Sequence, residues 1–347
     1  VTEPRRRRLS VAVVQGGPST EAEVSRASAS GVAKALEEAG HQAVRLELDA
    51  FLAESLRTGG FDVVFPVAHG AVGEDGSLQG LLEVLDLPYV GSGVLASALA
   101  MHKRTARVFF ERAGLPVAKG IALERDGTSP APPGRGRNPA EARAAARRAR
   151  ADVGARVVVK PSSHGSAIGV ARLEADATED EVAQAIEAVW AIDDVVIIEH
   201  FARGRELTCG VLDVEEPRAL PPTEIRSPHD AFYNYQAKYA PGRSLHVCPP
   251  DLPAELIARV QGVALGAHAA LGCRDLSRVD IIAGDEGREG ELTLLEVNTL
   301  PGMTATSLFP EAAAVAGWPM AKWCDALVTK AHARGPTRRL EAKPLPR

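Results

Sequence analysis

The chain has 347 residues, 24% charged and 45% hydrophobic, proportions that suit a soluble globular protein with enough core for two or three domains. A formal net charge of −5 offers no global basic field for nucleic acid, and no stretch approaches the roughly 18 apolar residues of a membrane span. Four separated cysteines (Cys209, Cys248, Cys273, Cys324) lack CxxC spacing, so they read as reduced thiols of a cytosolic protein and not as zinc ligands or disulfides.

Arg5 to Arg8 form a basic run with no apolar core behind it, which reads as a frayed, solvated end and not a signal peptide. Residues 9–100 then alternate strand and helix. Val11–Val14 reads as a buried parallel strand, Glu21–Gly40 as a helix stopped by glycine, Ala43–Leu48 and Asp62–Val67 as strands, Gln79–Leu85 as a helix and Tyr89–Gly91 as a short strand. This βαβ pattern predicts a doubly wound α/β sheet with ligands at the carboxyl ends of its strands. Lys103–Gly114 reads as a helix and Gly127–Asn138, rich in Gly, Pro and Arg, as a surface loop. Pro139–Ala151 is an Ala/Arg helix with little apolar periodicity, expected to be exposed. Arg156–Lys160 and Val195–Glu199 read as strands around a helix at 178–190, where Thr178 and Glu181 have capping-box spacing. Strands at Leu207–Val214, Arg278–Ile282 and Glu291–Val297 and helices at Pro253–Leu271 and Pro310–Ala333 complete the chain. The expected division is an N-terminal α/β domain at 1–102, a central lobe at 103–198, a C-terminal α+β domain at 199–335 and a disordered tail at 336–347.

The segment from Glu296 to Thr304 carries the densest chemistry. Glu296 and Asn298, two residues apart at the end of an apolar strand, share one face as two hard oxygen ligands suited to Mg²⁺, and Asp280 on a second strand could supply a third. The bland alternative is an exposed acidic strand end. A site with so few carboxylates completes its shell with substrate phosphates, which points to nucleotide chemistry. Lys160 closes a strand ahead of Ser162–Val170, a glycine- and serine-rich loop whose N–H groups can converge on phosphate oxygens; a serine-rich surface loop is the competing reading. GxxxxGK[ST] is absent, so this is not a Walker A loop. Glu199, ending its strand, can hydrogen-bond a purine amino group and ribose hydroxyls, and Glu206 lies seven residues on; either carboxylate alone reads as a surface charge, and their weight comes from standing with the lysine loop and the Glu296 strand in this order. Glu21, at the mouth of the first helix, reads equally as an acid favoured by the helix dipole.

In this order, these residues resemble the ATP-grasp superfamily and, within it, the D-alanine–D-alanine ligase family, from about Val11 to Ala333. Three motifs carry the match: Gly16-Gly17-Pro18-Ser19-Thr20-Glu21-Ala22-Glu23-Val24-Ser25, the run His69–Gly80 (HGAVGEDGSLQG), and Glu296–Thr304 continued through Ser307-Leu308. Phe232–Tyr239 resembles the family's mobile loop. The resemblance implies a three-domain ATP-grasp fold in a cytoplasmic homodimer. It also implies ATP-dependent joining of two D-alanine molecules through an acyl phosphate, for peptidoglycan synthesis, with two Mg²⁺ or Mn²⁺ ions. By the same resemblance Asp280, Glu296 and Asn298 hold metal, and Lys103, Lys160, Ser166, Glu199, Glu206 and Lys238 hold ATP. Glu21 takes the first substrate's ammonium within a network of Ser166 and Tyr239. His69 lies near the substrate carboxylate, Arg278 and the Gly302 N–H form the oxyanion site, and Ser307 and Leu308 hold the second carboxylate. Tyr239 in its loop favours an amine nucleophile over a hydroxy acid. Ala22, His102, Ala167, His200 and Asn234 depart from common family residues, which bears on nucleotide affinity and substrate preference. Two other readings stay open: an ATP-grasp ligase for other amino acids, and a nucleotide-binding relative without catalysis.

Overall fold

Val11 to Val14 are all buried, so β1 (Ser10–Gln15) is covered on both faces. It lies between β2 (Gln42–Glu47) and β3 (Val63–Pro66) in a parallel sheet of order β2-β1-β3. The computed structural model describes residues 7–125, 139–226, 245–284, 291–304 and 306–336. Side-chain alternation explains the two covering layers. Val11, Val13, Val63 and Phe65 pack with α1 (Ala22–Glu38) and the C-terminal helix, whereas Ala12, Val14 and Val64 meet Leu52 and Leu56 of α2 (Leu52–Thr58) and Leu78 and Leu82 of α3 (Ser77–Val84). This is the doubly wound arrangement expected. Tyr89–Gly91, expected as a strand, makes a lone parallel bridge, Val64 to Tyr89, because Gly91 at φ 98° turns the chain away into α4 (Val94–Met101) and α5 (Lys103–Arg112).

A second sheet, all antiparallel, has the order β4-β7-β5-β6, with β4 (Gly120–Glu124), β5 (Val157–Pro161), β6 (Ala171–Leu173) and β7 (Val195–His200). Its helices are α6 (Pro139–Asp152) and α7 (Glu179–Trp190), and α7 begins with the expected Thr178–Glu181 capping box. The expected exposure of α6 is overturned. Ala142, Ala145, Ala146 and Ala149 are buried against Ile186 and Val189, a helical stripe of small side chains too weakly apolar to stand out in sequence.

The third sheet runs β11-β10-β8-β12-β13, with β9 also on β8, from β8 (Gly204–Asp213), β9 (Pro217–Ala219), β10 (Thr223–Arg226), β11 (Leu245–Val247), β12 (Leu276–Gly284) and β13 (Leu292–Asn298). The helix α8 (Ala254–Ala270) covers it. The single helix expected over Pro310–Ala333 is two, α9 (Leu308–Val315) and α10 (Met320–Arg334), broken where Gly317 takes φ 78° and the extended Pro319 precedes the next helix. Trp323 of α10 is fully buried, edge-on to Phe309 with ring centroids 5.6 Å apart, so the C-terminal helix packs back under the first sheet. No described helix is long and apolar enough to cross a membrane.

Asp275 fastens the first sheet to the third. It is 0% exposed, takes both Arg334 guanidinium nitrogens at 2.8 Å and accepts the Gly91 N–H at 2.8 Å. Arg274 beside it donates to Gly91 O and stacks over Tyr89. Removing one partner of a buried, hydrogen-bonded pair leaves the other charge uncompensated, which costs about 3–5 kcal/mol. Asp275→Ala is therefore expected to lower the free energy of unfolding by an amount in that range, read as a lower denaturant midpoint at unchanged slope. An unchanged midpoint would remove the clasp from the account.

Candidate active site

The strand pair β12–β13 builds the floor of the site. Asp280 lies opposite Glu296, and Arg278 opposite Asn298. Between Asp280 and Ile281 the register slips, leaving Leu295 as the extra residue of a bulge. In a regular strand Leu295 and Glu296 would face opposite ways. Here Thr293, Leu295 and Glu296 all line one cavity, so an apolar slot continues directly into a charged end. Strict alternation in the sequence gives no sign of this.

That first cavity runs between the second and third sheets, and Lys160, Glu199, Glu206, Asp280 and Glu296 all line it. Lys160 is 9% exposed with Nζ 2.5 Å from Glu199 Oε2, and Arg107 of α5 reaches the other Glu199 oxygen at 2.9 Å. Lys103 stands at the first position of α5, where the helix dipole disfavours a cation. Glu296 at 3.1 Å and the His164 carbonyl at 2.7 Å offset that placement and aim the ammonium into the cleft. His102, one of the departures, has a structural explanation. Its Nδ1 accepts the Thr105 N–H and so caps α5, as an aspartate would.

A second cavity joins the first at Glu296, and Glu21, His69, Ser166, Arg278, Asn298, Gly302, Ser307 and Leu308 all line it. Glu21 sits at the N-cap of α1 without capping it; its carboxylate accepts the Ser166 hydroxyl at 2.6 Å, from the loop between β5 and β6 of the second sheet. Ser166 (φ 52°) and Ala167 (φ 57°) are both left-handed, a strained turn that points Ser166 across the cleft. Arg278 holds Asp280 through two bonds of 3.0 and 2.9 Å, and Thr208 donates to Asp280 at 2.6 Å. A Cβ at Gly302 would meet Ser307 Oγ at 2.8 Å, so a side chain there would push that hydroxyl aside. Ser307 stands at the N-cap position of the short α9, its hydroxyl turned to Thr304, and Leu308 is the helix's first residue. Tyr239 and Lys238, with the departure Asn234, lie outside the described residues. His200 and Ala167 line the first cavity.

Glu74 lines the second cavity and was not singled out from the sequence. It accepts the Gly70 N–H at 2.6 Å, and burial pushes its carboxyl up to about 8, with Glu21 and Glu296 nearby adding to the rise. The signal lay in the run His69–Gly80, where an acid five residues from a site histidine closes back on the same loop. A carboxyl raised in the folded state keeps a proton that the unfolded chain has released. Its stabilising contribution is thus present below the ordinary value of 4.5 and is lost as pH rises through about 8. Wild-type thermal midpoints are expected to fall across that window more steeply than those of Glu74→Gln; parallel curves would show that Glu74 is ordinary.

Among the described residues no three His, Cys, Asp or Glu side chains form a metal cage. Two carboxylates and an amide on adjacent strands fit instead a hard cation whose shell is completed by substrate oxygens, as Mg²⁺ prefers.

Family models described as D-ala D-ala ligase N-terminus and C-terminus match residues 52–92 and 109–329. A D-alanine–D-alanine ligase of Desulforudis audaxviator is 42% identical over 324 residues, covering 93% of this chain and 99% of the relative. A Bacillus anthracis D-alanine–D-alanine ligase solved in complex with ATP superposes with a TM-score of 0.73 at 29% identity, over 94% of this chain and 98% of that one. A Vibrio cholerae D-alanyl-alanine synthetase A gives 0.78 at 26% identity, over 94% and 99%.

Proposed function

The chain belongs to the D-alanine–D-alanine ligase family, and from that membership we propose how its residues divide the ATP-dependent condensation of two D-alanine molecules into D-alanyl-D-alanine, a peptidoglycan precursor. Residues 1–102 supply the first amino-acid site, 103–198 the nucleotide roof and 199–335 the reacting floor. The observation that carries the reading is the Ser166–Glu21 bond at 2.6 Å, which bridges the nucleotide loop and the first helix directly over the cavity that Arg278 and Gly302 line.

ATP lies in the first cavity. Val170, Ile282 and Leu295 give its base an apolar slot, Glu199 and Glu206 face base and ribose, and Lys103 and Lys160 neutralise phosphate oxygens. Asp280, Glu296 and Asn298 would hold Mg²⁺ or Mn²⁺, which supplies charge neutralisation of the triphosphate tail when bound. Glu21 takes the ammonium of the first D-alanine, leaving its carboxylate at the junction of the cavities. That carboxylate attacks the γ-phosphorus, and ADP departs, leaving an acyl phosphate. The second D-alanine, its carboxylate held by Ser307 at the start of α9, gives up an ammonium proton to solvent and attacks the acyl carbon with its free amine, the nitrogen's surplus proton leaving with the phosphate. Arg278 and the Gly302 N–H stabilise the tetrahedral oxyanion, which collapses with loss of phosphate. The acting unit is a homodimer, checked by its mass in solution.

Purified protein is tested for phosphate release against a panel of D- and L-amino acids, with the product identified by mass. D-alanine alone is expected to give ATP-dependent D-alanyl-D-alanine. Turnover of another amino acid with none of D-alanine would overturn the assignment in favour of a ligase with different substrates.

A further inference from the structure

Ser28 lies on α1, is fully buried and belongs to none of the motif residues with an expected role. A serine inside a helix ordinarily turns its hydroxyl back to a carbonyl one turn earlier. Ser28 directs its own to two other segments. Its Oγ accepts the Met303 N–H at 3.2 Å and lies 3.4 Å from His69 Nε2, while His69 Nδ1 lies 3.1 Å from the Leu300 carbonyl. The proton positions follow from chemistry. Leu300 O can only accept, so Nδ1 carries the hydrogen; in a neutral imidazole Nε2 is then an acceptor, and Ser28 must donate to it. The result is a closed circuit from Met303 N–H through Ser28 and the His69 ring to Leu300 C=O. It begins and ends on the loop that bears Gly302. Two serines of the motif that leads into α1 fix the frame from behind, Ser19 donating to His69 O and Ser25 to Val67 O, both at 2.7 Å.

We propose that Ser28 is a positioning residue that pins the Leu300–Met303 loop at both ends through His69, and so sets the Gly302 N–H toward the developing oxyanion. His69 on this account serves as a fixed strut between the first-substrate wall and the oxyanion loop, with both ring nitrogens engaged by the protein. Burial, which holds its imidazole below the ordinary titration range, agrees with a neutral ring, and Glu21 and Arg278 facing it pull in opposite directions.

This deepens the ligase reading, and the test separates the two. Long-range nitrogen–proton NMR on histidine-labelled wild-type protein is expected to show His69 as the neutral Nδ1–H tautomer, with a hydrogen-bonded Nε2. An Nε2–H tautomer or a protonated ring at neutral pH would overturn the proposal without reference to turnover. In Ser28→Ala the Nε2 signal is expected to shift toward an unbonded nitrogen. Turnover should fall about tenfold to a hundredfold, as for a misplaced oxyanion donor, with KM for ATP unchanged. Ser28→Thr, which keeps a hydroxyl, should recover most of the loss. Wild-type turnover in Ser28→Ala, or a loss shared equally by KM for ATP, would sink the positioning role. A wild-type protein that shows the Nδ1–H ring and ligates no D-alanine would instead count against the ligase reading and leave the circuit standing.

Discussion

Glu296→Gln is expected to lower ligation at least about a thousandfold. The substitution keeps shape and removes one charge, so what it measures is electrostatic. Glu296 is the residue at which the two cavities meet, it lies across the ladder from Asp280, and it pairs with Lys103 at 3.1 Å. On the proposed reading, losing the carboxylate withdraws one of two anionic oxygen donors from the cation that neutralises the triphosphate, an effect worth several kcal/mol in the barrier. At about 1.4 kcal/mol per tenfold, three orders of magnitude follow. Lys103 keeps the His164 carbonyl and stays near the phosphates, so the fold and the apolar slot are expected to survive. Calorimetry offers a second readout, since the gain in nucleotide affinity that Mg²⁺ gives the wild type should vanish in the variant. Turnover within tenfold of wild type, with that gain intact, would remove Glu296 from the metal set.

The sequence was legible where one residue type has one use. Buried valines marked the parallel strand at 11–14, the Thr178–Glu181 pair marked a helix start, and the acid–amide spacing at 296 and 298 marked one face of one strand. It was silent where the effect depends on partners far along the chain. The bulge at Leu295 exists because β12 and β13 fall out of step, which neither strand shows by itself. The buried face of α6 is built from alanines, whose single methyl groups give almost no periodic signal. Glu74 and Ser28 lie in or beside recognised motifs, yet their roles come from contacts, Glu74 with Gly70 and Ser28 with His69 and Met303, and both partners of Ser28 are distant from it in sequence. The departure at 102 ran the other way, where a histidine that looks foreign in the motif still supplies the acceptor a helix start needs.

Arg278→Ala is expected to cut turnover by at least about a hundredfold, since one lost oxyanion donor costs about 2.7–4 kcal/mol in barrier. The structure adds a second consequence. Arg278 grips Asp280 with two bonds while facing the second cavity, so one guanidinium joins the strand proposed to hold metal to the proposed reacting centre. Without it Asp280 retains the Thr208 hydroxyl at 2.6 Å, and KM for ATP should change much less than turnover. Arg278→Lys restores the charge but not the planar fork, and a point charge cannot hold two carboxylate oxygens and an oxyanion in fixed directions together. Lysine should therefore recover only part of the loss, whereas full recovery would mean that charge alone is needed at 278. Near-normal turnover of the alanine variant would take Arg278 out of the oxyanion site and leave the Gly302 N–H as the donor there.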